Sequence, residues 1–282
     1  MTTLLHCENL AYGHGRQLLF RGLNLTLQAR EIVALVGNNG VGKTTLLELL
    51  AGARTPEVGT VKRQTTKRFW LGYVPATAPL YPQLTVRRYL RLCAELRAVV
   101  APAIDRAIDR CALGRVLNQR CSQLSQGYRQ RLALAQALLH EPEVLLLDEL
   151  SNGLDYPQKQ EMLALLGELK SHCAILFISH DWAEVARLAD RVYWLENQRL
   201  REISLPQRPP HYHWLQTRNA SAAARLRPLF PGAAGDDDFI GFVPDPATLQ
   251  TVQQHWADIV ALHPHYPPVA LQEKIHAARP AG

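Results

Sequence analysis

A glycine-rich stretch determines the architecture of this 282-residue chain: Gly37-Asn38-Asn39-Gly40-Val41-Gly42-Lys43-Thr44-Thr45. An apolar run typical of a buried strand precedes it, and a leucine-rich run typical of a helix start follows it. Glycines permit the tight turn that brings several backbone N–H groups to one anion, and the helix N-terminus adds partial positive charge. Lys43 would reach the β- and γ-phosphates of a nucleotide, and the Thr44 hydroxyl would bind Mg²⁺. The stretch therefore predicts a phosphate-binding loop.

A second apolar run, residues 144–147, ends in two adjacent carboxylates, Asp148 and Glu149. Adjacent side chains of a strand point to opposite faces, so we expect the two acids to do different work. One would hold Mg²⁺ through water, and the other would polarise a water molecule that attacks the phosphate.

Two further stretches carry polar groups at the ends of regular elements. The apolar run 173–178 leads into Ser179-His180-Asp181, and ligands of α/β proteins collect at the carboxyl ends of parallel strands. The stretch Leu124-Ser125-Gln126-Gly127-Tyr128 opens a predicted helix. Its serine suits the N-cap position, and its glycine leaves the backbone open to a close anion.

Composition sets broad limits on the function. The hydrophobic content of 47% suits a globular core, and the net charge of +6 permits a nucleic-acid or membrane partner without requiring one. The five cysteines show no CxxC spacing, which favours free buried thiols in a reducing compartment. No signal peptide and no apolar run of about 20 residues is visible, so we expect a soluble, cytoplasmic protein.

The rest of the chain is predicted from its periodicity. Residues 4–12 are expected to form an edge strand and 18–28 a second strand, and residues 84–139 show helical periodicity. Residues 206–282 hold 11 of the 18 prolines and 6 of the 11 histidines. That segment predicts a small α+β appendage, with its elements at 211–217 (strand), 220–229 (helix), 239–243 (strand), 246–262 (helix) and 269–278 (helix).

The order and spacing of these motifs resemble the ATP-binding cassette (ABC) ATPases over residues 1–205. In that resemblance residues 37–45 are the Walker A loop, 124–128 the signature, and Asp148 and Glu149 the Walker B aspartate and catalytic glutamate. Ser151-Asn152-Gly153-Leu154-Asp155 resembles the D-loop, His180 the switch histidine, and Tyr12 the aromatic residue that stacks on adenine.

The resemblance implies a fold and a mechanism. The fold would be that of a P-loop NTPase: a RecA-like core with an antiparallel β subdomain and an α-helical subdomain at about 84–140. Two copies would bind head to tail, each sandwiching ATP and Mg²⁺ between its own Walker A loop and the signature of its partner. Glu149 would polarise water, while His180 and Lys43 hold the γ-phosphate and balance its charge. Closure and opening of the dimer would drive transport.

The sequence departs from the family pattern at three positions. Ala76 stands where the family usually has a glutamine that touches Mg²⁺ and couples the site to a membrane partner, and alanine has no side chain that can make this contact. Leu150 replaces a proline after Walker B, and Tyr128 replaces a common signature glutamine. None of these changes removes a catalytic group, so we expect ATP hydrolysis to be retained.

The leading hypothesis is the ATPase subunit of an ABC transporter, held at the inner face of the cell membrane by a separate permease. The appendage resembles C-terminal extensions of drug-, sodium- and polysaccharide-export ATPases, which favours an exporter and a dimer-stabilising or regulatory role for 206–282. The alternative is a soluble ABC ATPase acting on ribosomes or DNA. The single Walker A loop and the absence of a coiled-coil heptad run argue against that alternative and do not favour a nucleic-acid partner. The transported substrate, and whether the dimer pairs identical chains, stay open.

Overall fold

A computed structural model describes residues 2–14, 17–65, 67–203, 213–230, 234–235, 239–242 and 246–264. The chain divides into two compact units, Met1–Leu205 and Pro206–Gly282, and each unit is described by itself.

The first unit contains nine strands and six α-helices among its described residues. Its strands are β1 (Thr3–His14), β2 (Gln17–Gln28), β3 (Ile32–Val36), β4 (Val58–Arg63), β5 (Leu71–Val74), β6 (Val144–Asp148), β7 (Ala174–Ile178), β8 (Arg191–Glu196) and β9 (Arg199–Ile203). Its α-helices are α1 (Lys43–Leu50), α2 (Val86–Leu96), α3 (Ala101–Arg110), α4 (Gln126–Leu138), α5 (Tyr156–Leu169) and α6 (Trp182–Leu188).

A six-stranded sheet in the order β5-β6-β7-β3-β8-β9 forms the centre of this unit. Its strands run parallel except β9, which pairs antiparallel with β8. The register sets Leu35 of β3 and Asp148 of β6 both opposite Ile178 of β7. The carboxyl ends of these three strands therefore meet at one edge of the sheet, where the phosphate loop begins.

A three-stranded antiparallel sheet in the order β2-β1-β4 covers one face. The prediction of an edge strand at residues 4–12 is wrong, because β1 pairs with β2 on one side and with β4 on the other. Alternating polarity describes which face of a strand is buried, but it carries no information on how many neighbours the strand has.

The helical segment predicted after residue 84 consists of α2, α3 and α4, with two short 3₁₀ turns, Gly114–Val116 and Cys121–Gln123, between α3 and α4. Thr85 caps α2 by accepting a hydrogen bond from the backbone N–H of Arg88, and Pro102 lies in the first turn of α3, where its missing N–H costs nothing. Val86, Leu90 and their neighbours on one side of α2 are buried in the core that α2 shares with α3 and α4.

The central sheet separates two hydrophobic cores, because successive side chains of a buried strand point to opposite faces. In β6, Leu145 and Leu147 belong to the core shared with helices α2 to α6. Val144 and Leu146 belong to the core shared with α1 and the antiparallel sheet. Both faces are covered, which is why the inner strands β3, β6 and β7 are buried along their whole length and almost entirely apolar.

The second unit contains the strands β10 (His213–Thr217), β11 (Ala234–Gly235), β12 (Phe239–Phe242) and β13 (Ile259–Pro264), with the helices α7 (Ala220–Leu226) and α8 (Pro246–Gln254). The strands form an antiparallel sheet in the order β11-β12-β10-β13. The helix predicted over 246–262 is wrong beyond residue 254, because the chain turns there and returns as β13 beside β10. The helix predicted over 269–278 lies outside the described residues.

None of the helices in the described parts of the chain has the length and apolar character needed to cross a bilayer.

Candidate nucleotide-binding site

The phosphate loop, residues 37–42, joins β3 to α1, and two of its glycines are required by geometry. Gly37 has φ 148°, and a Cβ at this position would lie 2.3 Å from the carbonyl oxygen of Leu195 in β8. Gly42 caps α1 with φ 104°, and its Cβ would meet the ring of Phe20 at 3.3 Å. The loop is therefore seated against β8 and β2 at distances that a side chain would prevent.

Lys43, the first residue of α1, points back into the loop. Its Nζ donates hydrogen bonds to the carbonyl oxygens of Gly37 at 2.7 Å and Asn38 at 2.8 Å. Burial lowers the pKa of the Lys43 ammonium, and the charges of Glu149 and Asp148 partly oppose that shift. A cation with little solvation, held by two neutral carbonyls, gains strongly from a phosphate anion.

Asp148 at the end of β6 faces Thr44 in the first turn of α1. The Thr44 hydroxyl donates to Asp148 Oδ2 at 2.8 Å, and only 1% of Asp148 is exposed. Burial raises the pKa of the Asp148 carboxyl, although the Thr44 hydrogen bond and the Lys43 charge work against that rise. A hydroxyl and a buried carboxylate that lacks solvent are hard oxygen donors of the kind Mg²⁺ prefers, so this pair fits the metal.

Glu149 leaves the strand instead of continuing it. Its φ of 49° turns the chain after β6. Its Oε1 lies 2.7 Å from His180 Nε2, and its Oε2 accepts a hydrogen bond from the Asn152 side chain at 3.1 Å. The two acids do face different partners, as expected, but the cause is this turn as well as strand alternation. His180 lies two residues after the end of β7, so the neighbouring strands β6 and β7 bring the pair together.

Tyr12 lies on β1, next to Phe20 of the neighbouring strand β2. The two rings are 6.4 Å apart between centroids, and Phe20 is the residue that would meet a Cβ on Gly42. Arg54, after α1, donates to the Tyr12 hydroxyl at 3.1 Å. An aromatic ring is thus placed beside the loop, where the base of a nucleotide bound by its phosphates could stack.

The signature residues lie in a different contact group. Ser125 caps α4 by accepting from the Tyr128 N–H, and Leu124 is buried beneath it. The Gln126 side chain donates to the Asn152 carbonyl at 2.9 Å, and a Cβ on Gly127 would lie 2.6 Å from Gln158 of α5. These contacts join α4 to the turn at 149–155.

Asp155 caps α5 by accepting from the Gln158 N–H at 2.9 Å. It therefore sits at the end of the turn that begins at Glu149 and that also receives the signature helix. Among the described contacts, none joins residues 124–127 or Asp155 to the phosphate loop.

The predicted site residues therefore fall into two groups. The loop residues, the Walker B acids and His180 meet at the carboxyl edge of the central sheet. Asn38, Asn39 and Gly40 are exposed there, while Val41 and Thr45 are half-buried. Leu124, Ser125, Gln126, Gly127 and Asp155 form the second group.

The departures from the family pattern have clear positions. Ala76 is exposed in the turn after β5 and has no side chain that can reach a metal, whereas Leu150 is buried in the core on the α2-to-α6 side of the sheet. Tyr128 packs at the edge of the same core. None of the three positions lies in the phosphate loop or replaces one of the two acids.

Sequence reasoning missed Asn152 as a partner of Glu149, and it missed a buried carboxylate, Glu184, near His180. An acid in the first turn of a helix is ordinarily explained by the helix dipole. The sequence therefore offers no signal that separates such an acid from one that is buried and hydrogen-bonded, as Glu184 is.

Comparisons with known proteins show what this chain is similar to. The family model described as "ABC transporter" matches residues 20–152, which include the phosphate loop and both acids. The zinc import ATP-binding protein ZnuC of Jannaschia sp. (strain CCS1) is 37% identical over 201 residues, covering 68% of this chain and 79% of that protein. The molybdenum import ATP-binding protein ModC of Methylococcus capsulatus is 38% identical over 192 residues, covering 63% of this chain and 54% of that protein. A solved structure of an ATP-binding subunit of an ABC transporter has a TM-score of 0.66 at 27% identity, covering 72% of this chain and 90% of that chain.

Proposed function

The chain belongs to the ABC transporter family of ATP-binding subunits, which are ATPases, and we propose that it hydrolyses ATP at the 37–45 loop to power a separate membrane permease. The single observation that carries the site assignment is the meeting of Lys43, the Thr44–Asp148 pair and the Glu149–His180 pair at one sheet edge. Binding groups for the phosphates and a base for the attacking water are then next to each other.

The proposed chemistry assigns each group one task. Backbone N–H groups of the loop bind the phosphates, and the Lys43 ammonium exchanges its two carbonyl partners for phosphate oxygens. Thr44 and Asp148 would hold Mg²⁺, which supplies charge neutralisation for the phosphates. A water oxygen bonds to the γ-phosphorus while the bond from phosphorus to the bridging oxygen breaks. Glu149 accepts the proton of that water, His180 hydrogen-bonds the γ-phosphate, and ADP and phosphate leave.

A second copy of the ATPase completes the proposed site. The signature group belongs to a surface that lacks described contacts with its own loop, which suits a role on the nucleotide of a partner chain. The Gln126 contact with the Asn152 carbonyl links that surface to the turn bearing Glu149. Binding of the partner's nucleotide at the signature surface would therefore alter the position of Glu149 in the chain's own site. The N-terminal residues 1–205 would form the nucleotide-binding domain and 206–282 a unit that stabilises or regulates the dimer.

The direction of transport is the finer part of the proposal. The export direction expected from the sequence is not supported, because the two relatives described above carry names that state import. Those names favour import. They refer to different cargoes, zinc and molybdenum, so the proposal leaves the cargo open.

Two measurements test the function. Purified protein should release phosphate from ATP when Mg²⁺ is present, and Glu149→Gln should abolish release while ATP still binds. Equal rates of phosphate release for the two proteins would show that Glu149 is not the base that accepts the proton of the attacking water.

The variant then serves as a trap. Glu149→Gln held with ATP in cell membranes should co-purify with a multi-helix membrane protein. Recovery of ribosomes or DNA instead would favour the soluble alternative. Flux measured in both directions, in vesicles that contain the recovered complex, would decide between import and export.

A further inference from the structure

Glu184, in the first turn of α6, is a buried carboxylate outside the groups assigned above. Only 2% of the residue is exposed. Its Oε1 accepts a hydrogen bond from the Ser151 hydroxyl and lies 2.7 Å from Lys159 Nζ, and its Oε2 accepts from the Ser179 hydroxyl at 2.6 Å. A buried charge persists only when it is paired and hydrogen-bonded, and all of these partners are other side chains.

The two serines belong to the two loops that carry the reacting pair. Ser151 lies two residues after Glu149, and Ser179 immediately precedes His180. The Glu184 carboxylate therefore links the two loops, because each of its oxygens accepts a hydrogen bond from the serine of one loop. The loops have no other described side-chain link except the Glu149–His180 contact itself.

Lys159 of α5 completes the arrangement. Its ammonium lies between Glu184 and Asp181, the N-cap of α6, and 22% of its side chain is exposed. Burial acts to lower the pKa of Lys159, but the hydrogen bonds to Asp181 and Glu184 outweigh it and the pKa is raised. The ammonium therefore stays charged and fixes Glu184 to α5, the helix that starts at the end of the 149–155 turn.

From this geometry we infer that Glu184 is a positioning residue, which sets the separation of Glu149 and His180 by anchoring Ser151 and Ser179. The inference rests on the proposed function. Glu184 does not touch the nucleotide; it acts through the two loops. Its loss is expected to slow the chemical step while leaving the phosphate-binding loop unaffected.

The test compares Glu184→Gln with Glu168→Gln, an exposed acid of α5 whose side chain has no described partner. Glutamine keeps the shape of Glu184 but loses the charge that holds Lys159. We expect kcat to fall about tenfold, which corresponds to ~1.4 kcal/mol in the barrier, with KM for ATP within about twofold. Glu168→Gln should leave both constants unchanged.

A double-mutant cycle separates positioning from general stability. In a His180→Ala background the pair is already broken, so adding Glu184→Gln should lower kcat no further. Ser151→Ala, a milder change, should reproduce part of the loss and guards against a misfolded Glu184 variant.

Several results would overturn the inference: an unchanged kcat for Glu184→Gln, a full further loss in the His180→Ala background, or a kcat loss with a matching rise in KM and fall in melting temperature. These outcomes are distinct from failure of the proposed function, in which the wild-type protein itself would release no phosphate from MgATP.

Discussion

Glu149 Oε1 lies 2.7 Å from His180 Nε2, although the two residues lie in loops that follow different strands of the central sheet. The contact depends on two features: the φ of 49° that turns Glu149 away from β6, and the parallel pairing of β6 with β7. A left-handed conformation at a non-glycine residue is strained, and such strain persists only where the surroundings maintain it. The hydrogen bond from Asn152 to the second carboxylate oxygen is one such support.

The first prediction concerns the histidine of this pair. His180→Ala removes the hydrogen-bond donor that we propose for the γ-phosphate, and loss of one such donor typically costs about 10²–10³-fold in kcat. ATP binding, measured by titration in the absence of turnover, should change little. His172→Ala, an exposed histidine after α5, is the matched control and should retain full activity. A His180→Ala enzyme as fast as wild type would contradict the assignment.

The second prediction concerns the glycine at the start of the phosphate loop. Gly37→Ala would set a Cβ 2.3 Å from the Leu195 carbonyl oxygen, so the loop must move away from β8. We expect ATP binding to be lost and the melting temperature to fall. Gly52 also has a positive φ, 75°, but no neighbour within 4 Å, so Gly52→Ala should cost only about 1–2 kcal/mol and retain binding. Comparable binding in the two variants would show that the close approach is not required.

The third prediction concerns an ionic cluster remote from the loop. Arg191 contacts Glu31 at 3.1 Å and Glu202 at 2.7 Å, and Glu31 is only 8% exposed. Arg191→Ala leaves that carboxylate without its cation and should lower the free energy of unfolding by about 2–3 kcal/mol. Arg106→Ala breaks an exposed pair with Glu141 and should cost under ~1 kcal/mol. Chemical denaturation measures both, and equal losses would refute the argument from burial.

The fourth prediction concerns pH. His140 Nε2 donates to the Leu71 carbonyl at 2.9 Å, while its Nδ1 is buried without a described partner. Burial lowers the pKa of His140, only partly offset by the Leu71 hydrogen bond. As pH falls, the unfolded chain therefore takes up the proton at this histidine before the folded protein does. The contribution of neutral His140 to the free energy of unfolding is present above the ordinary histidine pKa and is lost as pH falls below it.

Melting curves check this directly. Between about pH 7 and pH 5, the wild-type melting temperature should fall more than that of His140→Asn, whose amide can still donate to Leu71. His172→Asn should follow the wild-type curve. If the melting temperatures of His140→Asn and wild type fall in parallel, His140 is not the cause of the loss of stability at low pH.

The fifth prediction concerns the thiols. All five cysteines are free and buried, as expected from their spacing. Burial raises the pKa of Cys7 and of Cys111 to about 12, and that of Cys173 to about 11. Because the thiolate is the reactive form, the native protein should resist a disulfide reagent at about pH 8, and denaturation should expose all five thiols. Rapid modification of the native protein would contradict their burial.

The local parts of the fold were predictable because short stretches determine them. The phosphate loop, the continuous apolar strands and the capped helices each follow from a few neighbouring residues. The central position of β1 and the return of β13 to β10 were not predictable, because both depend on pairing between distant segments. The link from Glu184 to Ser151 was hidden for the same reason, because the two residues are 33 positions apart.

The two cores on either side of the central sheet have a consequence for sequence variation. Bulkier residues at Leu145 or Leu147 would push against the helices, whereas those at Val144 or Leu146 would push against α1 and the antiparallel sheet. A saturation scan along β6 should therefore yield two classes of damage that change with odd and even residue number. Odd positions would disturb the packing of α4, which carries Ser125 at its N-cap, and even positions would disturb the packing of α1, which begins at the phosphate loop.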